Sequence, residues 1–171
     1  MAFKVRRVVV ANDSSGKAMA TSDEVLPAMS VGTETKISGC ELWSTDKMPV
    51  DNSAEAAVEQ KAGVVQRYHD FNYVGNGQGA AFRITEFPPG HAKIPHRTET
   101  LDYDVVLAGE IDLELEGSET VHLKTGDSVI VRGATHAWIN RGSVPAVLVF
   151  IMTDASPVVV NGKELDTRYP V

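Results

Sequence analysis

The chain has 171 residues, 43% of them hydrophobic and 23% charged, which is enough for one folded domain with its own core and argues against general disorder. The formal net charge of −7, with no basic run longer than Arg6-Arg7, argues against nucleic acid as a partner. The single cysteine, Cys40, excludes an internal disulfide, and neither a signal peptide nor an apolar run of about 18 residues is found, so we expect a cytoplasmic protein without a membrane span.

The N-terminal part of the chain predicts a few strands before the main domain. Residues 3–11 are rich in valine and precede a cluster of turn residues, so we expect a strand and a hairpin that returns through residues 17–22. Residues 23–36 predict a loop, and residues 37–44 predict a further strand. Residues 51–60 combine capping residues with helix formers and predict one short helix.

From residue 80 onward, short segments of strand character alternate with turn residues. The clearest case is residues 110–116, where strict alternation places apolar side chains on one face and four carboxylates on the other. This spacing of strands and turns is typical of a barrel or a sandwich. The predicted strands are 80–87, 94–98, 102–109, 110–116, 119–124, 128–132, 134–140 and 145–153.

Two of these segments carry candidate site residues. His96 and Thr98 lie two apart in an extended segment, so they face the same side, and a tight turn could return Asp102 beside them. Farther along, a turn at Gly126 and a buried strand lead to a single imidazole, His136, which is one way of placing another nitrogen ligand inside a barrel.

The two segments resemble the paired motifs of the cupin superfamily. In the first motif, Asp102 stands where the family has Glu and Thr98 stands where it has a second His. In the second motif, Arg132 replaces Pro and one residue fewer precedes the histidine. The residues that match the motif positions are Gly90, His96, Asp102, Gly109, Gly126, His136 and Asn140.

The resemblance implies an all-β fold: the conserved cupin β-barrel, a double-stranded β-helix or jelly roll, with extra N-terminal strands. We expect a single cupin domain over residues 1–171, with the N-terminal extension in 1–79, the barrel in 80–153 and a C-terminal tail in 154–171. The motif residues also look like a subgroup of small, mostly uncharacterised single-domain cupins, some of which accompany natural-product or degradative pathways. By the same resemblance we expect a homodimer.

The resemblance also implies a site that contains His96, Asp102 and His136. In one interpretation these residues hold a divalent metal ion (Fe, Mn, Ni or Zn) as two imidazoles and one carboxylate. In the other, the metal has been lost and the polar residues bind an organic ligand through hydrogen bonds. In the first interpretation, Thr98 would line the pocket or hold a metal-bound water.

Other side chains are predicted to share this interior. Asp104 has the same strand parity as Asp102, and two inward carboxyls would repel each other and raise one pKa, so both are candidate catalytic acids or bases. Arg83 could recognise a substrate carboxylate, and the parity of Trp138 makes it a candidate aromatic wall. The predicted ligand-binding residues are Arg83, Thr98, Trp138 and Asn140.

Three functions follow from these residues. The first is a divalent-metal-dependent enzyme acting on a small polar organic molecule, with dioxygenase, isomerase, dehydratase and decarboxylase chemistry (an oxidoreductase, isomerase or lyase) all open. The alternative is a non-catalytic cupin that binds a small ligand without metal. The third is a metal-free acid–base enzyme that uses Asp102 or Asp104 with His136. The fold alone does not choose among them.

Overall fold

The computed structural model describes residues 4–30, 35–45, 47–52 and 79–165. Every regular element in these ranges is a β-strand, in agreement with the all-β prediction. The helix predicted at residues 51–60 lies outside the described residues from residue 53 onward. No helix in the described ranges is long and apolar enough to cross a membrane.

The strands are numbered in chain order. They are β1 (Lys4–Asn12), β2 (Ala18–Pro27), β3 (Met29–Ser30), β4 (Ser38–Thr45), β5 (Ala80–Phe87), β6 (Thr100–Ala108), β7 (Glu110–Leu115), β8 (Thr120–Lys124), β9 (Ser128–Arg132), β10 (His136–Ile139), β11 (Ala146–Asp154), β12 (Val159–Val160) and β13 (Lys163–Glu164).

Two antiparallel sheets enclose the core. The larger has the strand order β3-β4-β5-β11-β6-β9, and the smaller has the order β10-β7-β8. Leu148 from the larger sheet and Ile111 from the smaller are both almost completely buried. They belong to one apolar cluster that joins the inner faces of the two sheets. Its other buried members are Ile37, Phe87, Val106, Leu113, Leu123, Trp138 and Ala146.

Alternation along β6 determines which side chains enter the interior. Thr100, Asp102, Asp104 and Val106 are buried, because successive side chains of a strand point to opposite faces and these four share the inner one. β6 lies between β11 and β9, and Asp102 is directly opposite Met152 of β11. Both candidate carboxyls therefore lie on the inner face of the larger sheet, on a strand with neighbours on both sides.

Two predicted segments differ from the structure. Residues 94–98 were predicted as a strand, but they form isolated bridge residues instead, among them the antiparallel bridge between His96 and His136. The loop predicted at residues 23–36 is wrong at its start, because β2 continues to Pro27, which pairs with Lys4. The hairpin β1–β2 is thus longer than its sequence indicated.

Candidate functional site

A cavity of about 120 Å³ opens inside the barrel. Its wall combines side chains from β5, β6, β10 and β11 with the segment before β6. The apolar lining residues are Ile37, Phe87, Ala92, Ile94, Trp138, Phe150 and Met152. The polar lining residues are Arg83, Thr85, His96, Thr98, Asp102 and His136.

Two histidines from distant parts of the chain meet at this cavity. The amide nitrogen of His96 donates to the carbonyl of His136 over 2.9 Å, and the reciprocal hydrogen bond is 3.0 Å long. The two ring centroids lie 4.4 Å apart, at an interplanar angle of 52°. A backbone bridge therefore fixes the imidazoles as a pair, as expected for cross-strand neighbours.

The hydrogen bonds of the two rings determine their tautomers. Nδ1 of His96 lies 2.9 Å from the carbonyl oxygen of Ile94, and Nδ1 of His136 lies 2.9 Å from that of Ala134. Because a carbonyl only accepts, each Nδ1 must carry the proton, and the lone pair of the neutral ring is on Nε2. Both rings can therefore accept a proton or a Lewis acid through Nε2.

Burial keeps these rings uncharged. It lowers the pKa of His136 to about 4, helped by the neighbouring His96, and opposed by the hydrogen bond to Ala134. The pKa of His96 is also lowered by burial, against the hydrogen bond to Ile94. At neutral pH both imidazoles are therefore neutral, with no proton on Nε2.

Asp102 is the carboxyl that lines the same cavity. Burial raises its pKa to about 6, while a hydrogen bond from Thr100 and the positive charge of Arg83 act in the opposite direction. The Thr100 hydroxyl is in turn 2.6 Å from that of Thr98. Asp102 is thus held by a chain of hydroxyls and can exchange a proton near neutral pH.

Asp104 lies on the inner face of β6 but is not part of the cavity wall. It is 2% exposed, and neither of its carboxyl oxygens has a hydrogen-bond partner among the described residues. Burial, together with the charge of Asp102, raises its pKa to about 8. The structure therefore places it as a neutral acid behind the site, and its predicted catalytic role remains a prediction.

Arg83 enters the interior opposite a carboxylate that the sequence did not single out. Its Nε and Nη2 both lie 3.2 Å from Oε2 of Glu41, whose side chain is 1% exposed. Arg83 and Glu41 are direct cross-strand partners on β5 and β4. The guanidinium lines the cavity, as predicted, but this buried ion pair occupies one side of it.

Trp138 forms part of the predicted aromatic wall. Its ring makes edge contacts with Phe150 at 5.7 Å and with His136 at 6.0 Å between centroids. Its Nε1 is buried and has no acceptor among the described residues, which costs about 1–3 kcal/mol for a desolvated donor. These contacts fix the imidazole of His136 against a rigid apolar surface.

Asn140 is not among the residues that line the cavity, and its ligand-binding role remains a prediction. Its Nδ2 donates to the carbonyls of Phe87 and Val144, and its Oδ1 accepts from the amide of Gly142. These bonds use the amide group to hold the turn after β10. Strand alternation had predicted that Asn140 faces the same side as His136. It does not extend to Asn140, because β10 ends at Ile139.

The residues fit a metal ion only in part. Two neutral imidazoles, each with Nδ1–H bonded to a carbonyl, have the arrangement that metal-binding histidines adopt. Among the described residues, however, no three His, Cys, Asp or Glu side chains are grouped so that they could hold one ion. The structure therefore supplies a two-nitrogen pair rather than a three-ligand centre, and the ligand set His96, Asp102 and His136 stays a prediction.

The sequence did not single out three residues in or beside the cavity: Phe87, Phe150 and Glu41. Phe87 has the parity of Arg83 on β5, which would have placed it on the inner face. Phe150 also lines the cavity, from β11. Glu41 had no such signal, because the register of β4 shifts between Glu41 and Trp43 and breaks the alternation.

Comparisons with known proteins agree with this architecture. The family model described as the cupin domain matches residues 83–152. A phomopsin biosynthesis cluster protein of Diaporthe leptostromiformis is 32% identical over 93% of this chain and 83% of its own length. A cupin-domain-containing oxidoreductase of Aspergillus ruber is 28% identical over 95% of this chain and 79% of its own length.

A solved structure shows the same fold. The Cnp3 cupin domain of Schizosaccharomyces pombe superposes with a TM-score of 0.52 at 12% identity, over 89% of each chain. The motif residues, the two facing sheets and the similarity to proteins over most of their length all lead to one classification. This chain belongs to the cupin family.

Proposed function

We propose that this cupin is an enzyme that moves protons on a small organic molecule held in the barrel cavity, as an isomerase or a dehydratase does. The observation that carries the proposal is the His96–His136 pair, whose imidazoles line one cavity with the buried carboxyl of Asp102. A neutral base and a titratable acid in one apolar site are the groups that such chemistry needs. The biosynthetic-cluster and oxidoreductase names of the relatives support action on small molecules.

The two groups have distinct roles in this proposal. His136 is the general base, because its Nδ1–H is bonded to Ala134 and its Nε2 carries the lone pair. In a dehydration, Nε2 takes the proton from the carbon next to a carbonyl. Asp102 gives its proton to the hydroxyl on the following carbon, which leaves as water while the carbon–carbon double bond forms. Transfer of the proton from His136 to Asp102, directly or through water, restores both groups.

The cavity limits the size and character of the substrate. A volume of about 120 Å³ accommodates on the order of ten water-sized spheres, so the bound part is about as large as one substituted ring. The apolar wall of Phe87, Trp138 and Phe150 suits an apolar body, while the polar groups suit a carbonyl or hydroxyl. The sequence predicted a small polar substrate, and we propose more specifically a molecule with an apolar body and a polar reacting end.

The test uses one-ring β-hydroxyketones as probes, in D₂O buffer. We expect deuterium uptake next to the carbonyl, followed by NMR, together with formation of the conjugated enone, followed by absorbance. His136→Gln should lower both rates about 100-fold or more, the usual contribution of a general base. Asp102→Asn should slow enone formation more than deuterium uptake.

The matched control is His122→Gln, since His122 is exposed on the outer face of β8 and lies away from the cavity. Its rates should equal those of the parent. The proposal fails if no probe exchanges, or if His136→Gln exchanges as fast as the parent.

A second candidate is a metal-dependent oxidoreductase, favoured by the paired imidazoles and by the name of the Aspergillus relative. Elemental analysis of protein purified without added metal tests it, with His136→Ala for comparison. Stoichiometric metal in the parent and none in the variant would replace the proton-transfer proposal with this one.

The cytoplasmic location expected from the sequence stays a prediction.

A further inference from the structure

We propose that Glu41 makes the barrel cavity selective for uncharged carbonyl compounds, and against carboxylates, by neutralising the guanidinium of Arg83. This inference deepens the proposed function, because it names the substrate class of the same cavity, and it rests on that cavity being the ligand site. It does not depend on which reaction follows binding. Glu41 acts through Arg83, so it is a positioning residue.

The positive charge of the described cavity wall comes from Arg83. Its guanidinium is permanently charged and lines the cavity. Burial keeps the imidazoles of His96 and His136 neutral. The other polar residues of the described wall are two threonines and Asp102, none of which carries a positive charge. Among these residues, an anionic ligand would therefore be attracted by Arg83.

Glu41 occupies one edge of this guanidinium. Nε and Nη2 of Arg83 each lie 3.2 Å from Oε2 of Glu41. These two nitrogens form an edge of the planar group through which a guanidinium recognises a carboxylate. The sequence suggested that a substrate would bring the carboxylate for Arg83. In this proposal the protein itself supplies it.

The sheet fixes this ion pair beside the cavity. Glu41 of β4 and Phe150 of β11 are the cross-strand partners of Arg83 on its two sides. Phe150 lines the cavity, whereas Glu41 is not among the lining residues, so a ligand would contact Arg83 but not Glu41. The side chains of Glu41 and Arg83 are 1% and 15% exposed. Because water screens such a buried pair only weakly, the carboxylate offsets most of the field of the guanidinium.

Asp102 opposes an anionic ligand as well. Burial raises its pKa to about 6, while a hydrogen bond from Thr100 and the charge of Arg83 favour its ionised form. Since Asp102 lines the cavity, a carboxylate bound there would lie near a second carboxyl as well as near Arg83. Like charges repel strongly where water is excluded. One guanidinium thus faces two carboxyls of the protein, and a third from a ligand is disfavoured.

An uncharged carbonyl compound avoids this repulsion. Its oxygen accepts hydrogen bonds without adding a net charge to the interior. Its apolar body suits the aromatic wall formed by Phe87, Trp138 and Phe150. Ketones, aldehydes and amides therefore form the expected ligand class, and the corresponding acids are excluded.

The test compares benzamide with benzoate, because the two molecules have nearly the same shape and differ in charge at neutral pH. Neither needs to react, and NMR titration into the millimolar range measures both affinities. The parent should bind benzamide at least about 100-fold more tightly than benzoate.

Glu41→Gln keeps the shape of the side chain and removes its charge. It should raise the affinity for benzoate about 100-fold, because the ligand then supplies the negative charge that the buried guanidinium has lost. The affinity for benzamide should change by less than about threefold. If Glu41 were merely structural, its replacement would weaken the binding of both probes.

The matched control is Glu24→Gln, because Glu24 also pairs with a buried arginine, Arg7, and neither residue lines the cavity. Both affinities should equal those of the parent. A double variant, Glu41→Gln with Arg83→Gln, protects the test against a single variant that does not fold, since removing both charges leaves no buried ion uncompensated. Its ratio of the two affinities should stay within about tenfold of the parent's.

Four outcomes would overturn the proposal. They are a parent that binds neither probe, a parent that binds benzoate as tightly as benzamide, a folded Glu41→Gln that gains no affinity for benzoate, and a larger change of the ratio in the double variant. Preference for benzamide together with no deuterium exchange in the earlier test would leave this inference standing and remove the proposed reaction. The two failures are thus distinguishable.

Discussion

Gly109 lies in the turn between β6 and β7 with a positive φ of 76°. A Cβ at this position would lie 2.7 Å from the carbonyl oxygen of Pro145 and 3.0 Å from the Cα of Ala146. Both are backbone atoms and cannot rotate away. The last glycine of the first cupin motif is therefore explained by two constraints, the left-handed conformation and the close approach of the segment before β11.

We expect Gly109→Ala to lower the free energy of unfolding by about 2–4 kcal/mol, since conformational strain and a steric clash add up. Gly90→Ala is the matched control, because Gly90 also has a positive φ, 66°, but a Cβ there meets nothing within 4 Å. It should cost about 1 kcal/mol. Urea unfolding of the three proteins measures the difference, and equal costs for the two variants would show that the clash is relieved.

Single site residues were predicted from strand parity where the strands are regular. Asp102 and Trp138 line the cavity, as strand alternation indicated, and His96 and His136 line it, as their positions in the two motifs indicated. What parity could not give is the distance between side chains on different strands. That distance depends on how the sheets curve, so the grouping needed for a metal ion could not be derived from the sequence.

At the scale of elements, the β1–β2 hairpin is attached to the barrel through Arg7. The Arg7 guanidinium is 8% exposed; it donates to the carbonyl of Leu42 over 2.8 Å and forms an ion pair with Glu24 at 2.6 Å. It also lies 5.9 Å from the centre of the Trp43 ring. A two-stranded hairpin is marginally stable alone, so this contact with β4 matters for its order.

Arg7→Ala should therefore release the hairpin and cost about 2–3 kcal/mol, because the carbonyl and the carboxylate lose a buried cation. Arg6→Ala is the matched control, since its ion pair with Asp23 is exposed on both sides, and it should leave the stability nearly unchanged. Hydrogen exchange of the β1 and β2 amides reports the local effect. Equal protection in the two variants would mean that the hairpin is held by other contacts.

Strands with clear alternation were predicted well, as β7 illustrates, whereas residues 94–98 were not. The segment contains Pro95, which has no amide hydrogen to donate to a sheet. His96 forms an isolated bridge to β10, and the segment does not become a strand. An extended sequence pattern predicts an extended backbone, but it does not predict the partner strand.

At the scale of the whole molecule, the barrel encloses several carboxyls. Glu41, Asp102 and Asp104 are all buried, and Arg83 is the guanidinium that contacts the first and lowers the pKa of the second. The alternation of β6 predicted that Asp102 and Asp104 share a face. It did not show that this face is closed off from water, because burial results from all the strands together.

The buried carboxyls make the stability of the barrel depend on pH. Asp104 has its pKa raised from 3.8 to about 8, so in this range the folded state holds a proton that the unfolded chain releases. Its contribution is complete at low pH and is lost as the pH rises toward 8. The pKa of His136 is lowered from 6.5 to about 4, so its effect on stability has the opposite sign: its contribution is lost as the pH falls below about 6.5. The pKa of Asp102 is raised only to about 6, so its contribution to the pH dependence of stability is complete near pH 6.

Between pH 6.5 and pH 8, Asp104 is therefore the buried carboxyl that still loses its proton on unfolding. Asp104→Asn cannot ionise, so its stability relative to the parent should rise by about 1–2 kcal/mol across this interval, on top of an offset that does not depend on pH. The exposed His122 is present in both proteins, so its own titration cancels in the difference. Urea unfolding at several pH values gives the two curves. Parallel curves would show that Asp104 ionises in the folded barrel as easily as in water, and that its burial carries no electrostatic cost.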